Sequence, residues 1–376
     1  MKFLTTSTSL IALVLSIVML TSCGSDESNK ESSVTNNSNS VTSSSTISTP
    51  AVPSTLPQQI NQYLNAHQND NSPGISILVL KDGEEIYRAS KGMANFNSGT
   101  TISHKTGFRL ASVSKPFTAI AIMQLIEKGE LTLSDSVLDY IPELSPTWKA
   151  ITIDNLLSHQ SGINDIFNDS WNSSIINNLT MDGLIAYLSN HPALEFPPGT
   201  KGDYSNTGYM LLATIIERKT GLRFSEYMAR YVFEPANMNG SYINDEYQDI
   251  KHGDAINYAD RYTYYGVTTY LKGSMAQVSS TDDFSHFFDA LRKGKLVSNQ
   301  TLSTMTSKHS WLGFVNYGYG FIVTDNSYSH SGQWDGFETE LVIDKRRHLE
   351  WVILTNSGSA GRNHINAINA LIRSAY

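Results

Sequence analysis

The chain has 376 residues, enough for one elaborated domain or two and for a sizeable buried core. Its 40% hydrophobic and 16% charged content argues against a disordered chain or a coiled coil and fits a globular enzyme. A net charge of -8 with no long basic run argues against nucleic acid as a partner, because phosphate binding needs clustered Lys and Arg.

Lys2 precedes an apolar run over residues 10–20. That run is too short to span a bilayer but suits the middle of a signal peptide. Small residues then lead to Cys23, and the stretch Leu20-Thr21-Ser22-Cys23-Gly24 resembles a bacterial lipoprotein signal. The resemblance implies cleavage before Cys23 and lipidation of its sulfur. Residues 1–22 are therefore expected as a signal peptide. The mature chain is expected on the periplasmic or outer face of a bacterial cell envelope, held to the membrane through Cys23. No other cysteine occurs, so the chain has no internal disulfide and no Cys-based metal site. Residues 23–55 are mostly Ser, Thr and Asn, with too few large apolar side chains to offset ordering entropy. They read as a disordered tether.

The folded body spans residues 56–376 and opens with a helix over 58–67. Two β-rich runs, 74–81 and 84–92, flank Asp82-Gly83, a strong hairpin signal. Residues 112–292 read mostly as helices and loops, with helices at 117–128, 181–188, 208–219 and 282–293. Strands return at 319–324, 328–331, 337–343 and 349–356, and a last helix covers 362–374. Strands at both ends predict an α+β fold: one antiparallel sheet built from both chain ends, flanked by helices, with an inserted and mostly helical lobe. A cleft between sheet and lobe is the expected place for an active site.

No Gly-x-Ser-x-Gly elbow, His-Glu-x-x-His or phosphate-binding Gly-rich loop occurs. The only Ser-x-x-Lys is Ser112-Val113-Ser114-Lys115, followed by Pro116. A spacing of three places Ser112 and Lys115 one turn apart on one helix face. Pro116 fits only a first helical turn, so the helix must begin near Ser112. Residues 117–126 are apolar nearly all round, which predicts a buried helix. A Lys at its mouth is partly desolvated, and desolvation lowers a Lys pKa toward that of a usable base. Alone, this pair reads better as an N-cap Ser beside a solvated Lys.

A loop running into a long helix carries Phe196-Pro197-Pro198-Gly199, then Tyr204-Ser205-Asn206. Together with His159-Gln160-Ser161-Gly162, residues 232–239 and 273–283, and His330-Ser331-Gly332, it resembles the serine β-lactamase-related, penicillin-recognising family over residues 56–376. The resemblance implies the β-lactamase/transpeptidase-like α/β fold. It implies Ser112 as the acylated nucleophile, with Lys115 and Tyr204 sharing proton transfer. Asn206, His330, Ser331 and Gly332 would bind substrate, and the backbone N–H groups of Ser112 and Gln333 would form the oxyanion hole. No metal or cofactor is implied. His159 reads as a support beneath the site. Tyr317, Tyr319 and Trp334 read as packing or as pocket lining.

The implied reaction is acyl transfer to water through an ester on Ser112. The third motif has His330 where classical β-lactamases have Lys, which exchanges a permanent cation for a group expected to titrate near neutrality. A DD-peptidase or D-amino-acid peptidase acting on a small or peptidic acyl substrate comes first. An esterase follows, then a class C-type β-lactamase. A ligand-binding lipoprotein on a retired scaffold is the last reading, and intact Ser112, Lys115 and Tyr204 argue against it.

Overall fold

Asp82 and Gly83 both take positive φ, 53° and 85°, as a two-residue primed turn requires. They join strands Ile75–Lys81 and Glu84–Lys91 into the predicted hairpin. A computed structural model describes residues 55–168, 180–245, 250–258 and 272–376. The leader, Cys23 and the tether to residue 54 lie outside the described residues.

Among the described residues the main sheet has eight strands, all paired antiparallel. From one edge they run Glu84–Lys91, Ile75–Lys81, Leu349–Thr355, Phe337–Asp344 and Ser327–Trp334. The short strands Ile322–Val323, Asn316–Tyr317 and Ser310–Trp311 complete the other edge. The two chain ends meet in the middle, where Ile75 pairs with Thr355 and Leu78 with Val352. The sheet built from both chain ends is thus as the sequence predicts.

Strand periodicity explains what each face buries. Ile75, Ile77 and Val79 point to one side, where they meet helices Leu56–His67 and Gly358–Ala375 through Ile60, Leu64, Ile365, Ile368 and Ile372. Leu78 and Leu80 point to the other side, into a larger core shared with helix Lys115–Glu127. Both faces are covered, so the strand reads as a continuous apolar run. Strand Phe337–Asp344 alternates likewise. Phe337, Leu341 and Ile343 join the larger core, whereas Glu338 and Glu340 face the C-terminal helix. There Arg362 pairs with both carboxylates, at 2.6 Å from Glu338 and 3.1 Å from Glu340.

Several boundaries differ from expectation. The strand expected over 319–324 shrinks to Ile322–Val323, because Gly320 turns the backbone at φ +82°. Helix Asn206–Thr220 begins two residues early, since Ser205 caps it by accepting the Gly208 N–H. The last helix also starts earlier, at Gly358. The mostly helical lobe contributes two short strands, Gln277–Ser279 and Tyr242–Ile243, to a small sheet completed by Phe108–Arg109 just ahead of it.

Ile368 is fully buried between helix and sheet. Ile368→Ala is expected to cost about 2–5 kcal/mol in denaturant unfolding. Exposed Asn366→Ala on the same helix is expected to change stability by less than about 0.5 kcal/mol.

Candidate active site

A short 3-10 turn, Ala111–Ser114, leads straight into helix Lys115–Glu127. Pro116 sits in the first turn, where its missing N–H leaves no intrahelical bond unmade. The turn is entered through Ala111 at φ +49°, a left-handed conformation that a non-glycine residue adopts at a cost of order 1–3 kcal/mol. Such strain persists only where surrounding contacts hold it. Here Thr339 Oγ1 donates to the Leu110 carbonyl at 2.7 Å, and Leu110 N–H bonds the Gln277 carbonyl at 2.8 Å.

Lys115 is fully buried, yet its Nζ has three partners. It lies 3.0 Å from Ser112 Oγ, 2.7 Å from Asn206 Oδ1 and 3.3 Å from the Ser274 carbonyl. Burial lowers its pKa to about 7, against the opposing pull of the Asp165 carboxylate. Near neutral pH a large share of Lys115 is therefore a free amine beside a serine hydroxyl. The Tyr204 ring lies 4.8 Å from Nζ, and Ser112 acts on its phenol, favouring the charged form against burial. Burial pushes the Tyr204 phenol well above its ordinary range, so it stays protonated.

His159 packs beneath this group. Its ring lies 4.4 Å from that of Tyr204, 5.1 Å from Tyr209 and 4.5 Å from Tyr317, centroid to centroid. Its Nδ1 accepts the Ser205 N–H at 3.1 Å, which fixes the turn carrying Tyr204 and Asn206.

Strand Ser327–Trp334 forms the facing wall. His330 is only 2% exposed. Its Nδ1 lies 2.7 Å from the Ser331 carbonyl and must donate there, which leaves Nε2 to accept from the Tyr317 hydroxyl at 3.0 Å. Burial first, then the Lys115 charge, lowers its pKa to about 3. The expectation that His330 titrates near neutrality is thereby corrected: it is a neutral imidazole across the physiological range. Two residues on, a Cβ added to Gly332 would lie 2.3 Å from the Leu110 carbonyl oxygen and 3.1 Å from Ser112 N. Only glycine lets this strand press against the turn, which sets the Gly332-Gln333 peptide beside Ser112. Arg362 donates to the Gly332 carbonyl at 3.3 Å.

Ser112, Lys115, Tyr204 and Asn206 thus share direct contacts. His330 approaches from the sheet with its ring 6.3 Å from that of Tyr204, and Gly332 abuts Ser112. Tyr317 is buried under His330. Tyr319 turns away, donating its hydroxyl to Asp154 and stacking on His309 at 3.8 Å. Trp334 packs on Phe167 at 5.0 Å. Asp165, which no sequence motif singled out, lies directly behind Asn206.

Residues 60–373 match the family model described as Beta-lactamase. The chain belongs to that family and falls within the serine hydrolase superfamily. It is similar to Penicillin-binding protein 4* of Bacillus subtilis (strain 168), 28% identical over 309 residues, covering 73% of this chain and 66% of that one. Protein flp of Staphylococcus aureus is 26% identical over 329 residues, covering 80% and 63%. The chain thus spans slightly less than two thirds of the length of these two relatives. Among solved structures, the penicillin-binding protein from Bacillus halodurans superposes with a TM-score of 0.72 at 26% identity, covering 83% of this chain and 99% of that one.

The imidazole of His330 is expected to show no titration between pH 5 and 9 when its ring proton shift is followed by NMR. A midpoint near 6.5 would mean that the ring is solvated and able to carry charge.

Proposed function

We propose that this chain is a serine hydrolase that forms an acyl-enzyme on Ser112 and cleaves amide bonds of D-amino-acid peptides in the manner of a DD-peptidase. One observation carries the reading: a fully buried amine, lowered to about pKa 7, lies 3.0 Å from the Ser112 hydroxyl. An amine in that state accepts the hydroxyl proton as the oxygen attacks an acyl carbonyl. Tyr204, neutral and beside Lys115, then passes its proton to the leaving amine and recovers one from Lys115. Water repeats the sequence to release the acid.

The remaining roles follow from position. The Ser112 and Gln333 N–H groups would receive the developing oxyanion, each such donor typically contributing about 2.7–4 kcal/mol in the transition state. Beyond Ser329 the outer edge of strand Ser327–Trp334 pairs with no other strand among the described residues. That open edge at His330, Ser331 and Gly332 suits an extended substrate backbone. Asn206 offers its amide beside Lys115. The peptide reading draws support from the name of the Bacillus subtilis relative, since penicillin presents a cyclic amide to whatever binds it. The neutral His330 favours a second reading. Without a fixed cation at that position, a carboxylate on the substrate gains little, so a simple ester is a competent alternative to a carboxylated β-lactam. At the cell envelope, lipidated Cys23 would supply the membrane anchor. No helix among the described residues is long and apolar enough to cross a membrane.

The test compares a D-alanyl-D-alanine peptide, a short-chain p-nitrophenyl ester and nitrocefin, with Ser112→Ala as control. The peptide is expected to turn over, with activity falling on the order of 10³-fold or more in Ser112→Ala. Activity on the ester alone would replace the peptidase reading with the esterase one. Because Lys115 must be neutral to act, kcat/KM is expected to rise with pH through a midpoint near 7.

A further inference from the structure

We propose that Asp165 is a positioning residue for this site: it dictates which end of the Asn206 amide meets Lys115, and it supplies the negative charge that Lys115 feels. The proposal rests on the reading of Ser112 and Lys115 given above.

The geometry is specific. Asp165 is buried, and its Oδ2 accepts both the Asn206 backbone N–H, at 2.6 Å, and the Asn206 side-chain Nδ2–H, at 2.9 Å. Its Oδ1 accepts the Phe167 N–H at 2.9 Å. Both oxygens therefore act as acceptors, as an ionised carboxylate does. The neighbouring Ile166 N–H donates to Thr207 Oγ1 at 2.9 Å, so the loop is pinned to the start of helix Asn206–Thr220 at a second point.

An amide group is nearly symmetric in shape, so packing alone does not choose between its two orientations. Asp165 does. With Nδ2 held by the carboxylate, Oδ1 must face the other way, where Lys115 Nζ meets it at 2.7 Å. A flipped amide would set its oxygen against the Asp165 carboxylate, a repulsive contact in a dry site, and would take from Lys115 the acceptor it meets at 2.7 Å. The relay thus runs carboxylate, amide, amine, hydroxyl, from Asp165 through Asn206 and Lys115 to Ser112.

The charge argument uses the same neighbours. Among the described residues, the titratable groups facing Lys115 are Tyr204 on its loop, Tyr209 on the helix of Asn206, His159 below and His330 on the strand. Burial holds both phenols protonated and both imidazoles neutral. Asp165 is the carboxylate that acts on Lys115, and its effect is to raise the lysine pKa against burial. Removing that charge makes the ammonium form less favourable, so the pH at which Lys115 becomes a free amine must fall.

The experiment measures the rate at which a fluorophosphonate probe phosphonylates Ser112, with loss of fluoride, as a function of pH, on the full chain. Wild type is expected to show an acid limb near pH 7. In Asp165→Asn, which removes the charge and keeps the size, the limb is expected to move down by roughly one pH unit. Asp165→Ala, which frees the amide, is expected to slow phosphonylation by roughly 10–100-fold at its own optimum. Asp165→Glu keeps the charge but shifts the carboxyl, so its limb should stay with wild type while its rate falls. That variant carries the test if the other two fail to fold by circular dichroism. A purely structural Asp165 would lower the melting temperature and leave the limb where it is. An unmoved limb in Asp165→Asn, or a wild-type phosphonylation rate in Asp165→Glu or Asp165→Ala, overturns the proposal while leaving Ser112 and Lys115 in their roles. Failure of the probe to label folded wild type at any pH would overturn both.

Discussion

The structure turns on keeping one amine dry. Lys115 is a cation by default, and taking it out of water costs free energy that must be recovered elsewhere. The helix it opens is buried almost all round, from Pro116 to Leu125. That is possible only because the sheet lies on one side and the lobe on the other. Two glycines allow the closest approaches. Gly332 lets the strand touch the Ser112 turn, and at Gly320 an added Cβ would come within 3.0 Å of the Lys115 carbonyl oxygen. Walls this close leave no room for bulk water around Nζ. In place of solvation the amine has a serine oxygen, an amide oxygen and a backbone carbonyl. All three are neutral, so they satisfy the amine without holding it strongly in the charged form.

Much of this could be read from the chain. The hairpin at Asp82-Gly83, the strands at both ends and the buried helix after Pro116 each carry a local signature that survives into the fold. Ser112, Lys115, Tyr204, Asn206 and His330 stood out through their order and their flanks. The short edge strands Ser310–Trp311 and Asn316–Tyr317 did not, because two residues are too few to show any periodicity. Their pairing is imposed by the neighbouring strand.

His330 and Asp165 show a different limit. A sequence names a histidine but not its surroundings, and the surroundings decide whether it can be charged. The Ser331 carbonyl and the Tyr317 hydroxyl consume both ring nitrogens, and burial does the rest. Asp165 sits in a loop with no pattern of its own. Its meaning comes from Asn206, a residue remote in sequence that folding brings to within hydrogen-bond distance. Phe167 and Trp334 likewise meet only across the folded chain.

The central pairing of Ile75–Lys81 with Leu349–Thr355 has a consequence for how the chain is made. The partner of this strand lies far downstream and is synthesised long after it. The apolar face of Ile75, Ile77 and Val79 therefore has only helix Leu56–His67 to cover it until helix Gly358–Ala375 has been made. Closing so long a loop is entropically costly and comes late, so the sheet cannot form progressively as the chain emerges. Until then the polypeptide remains threadable and exposed to self-association.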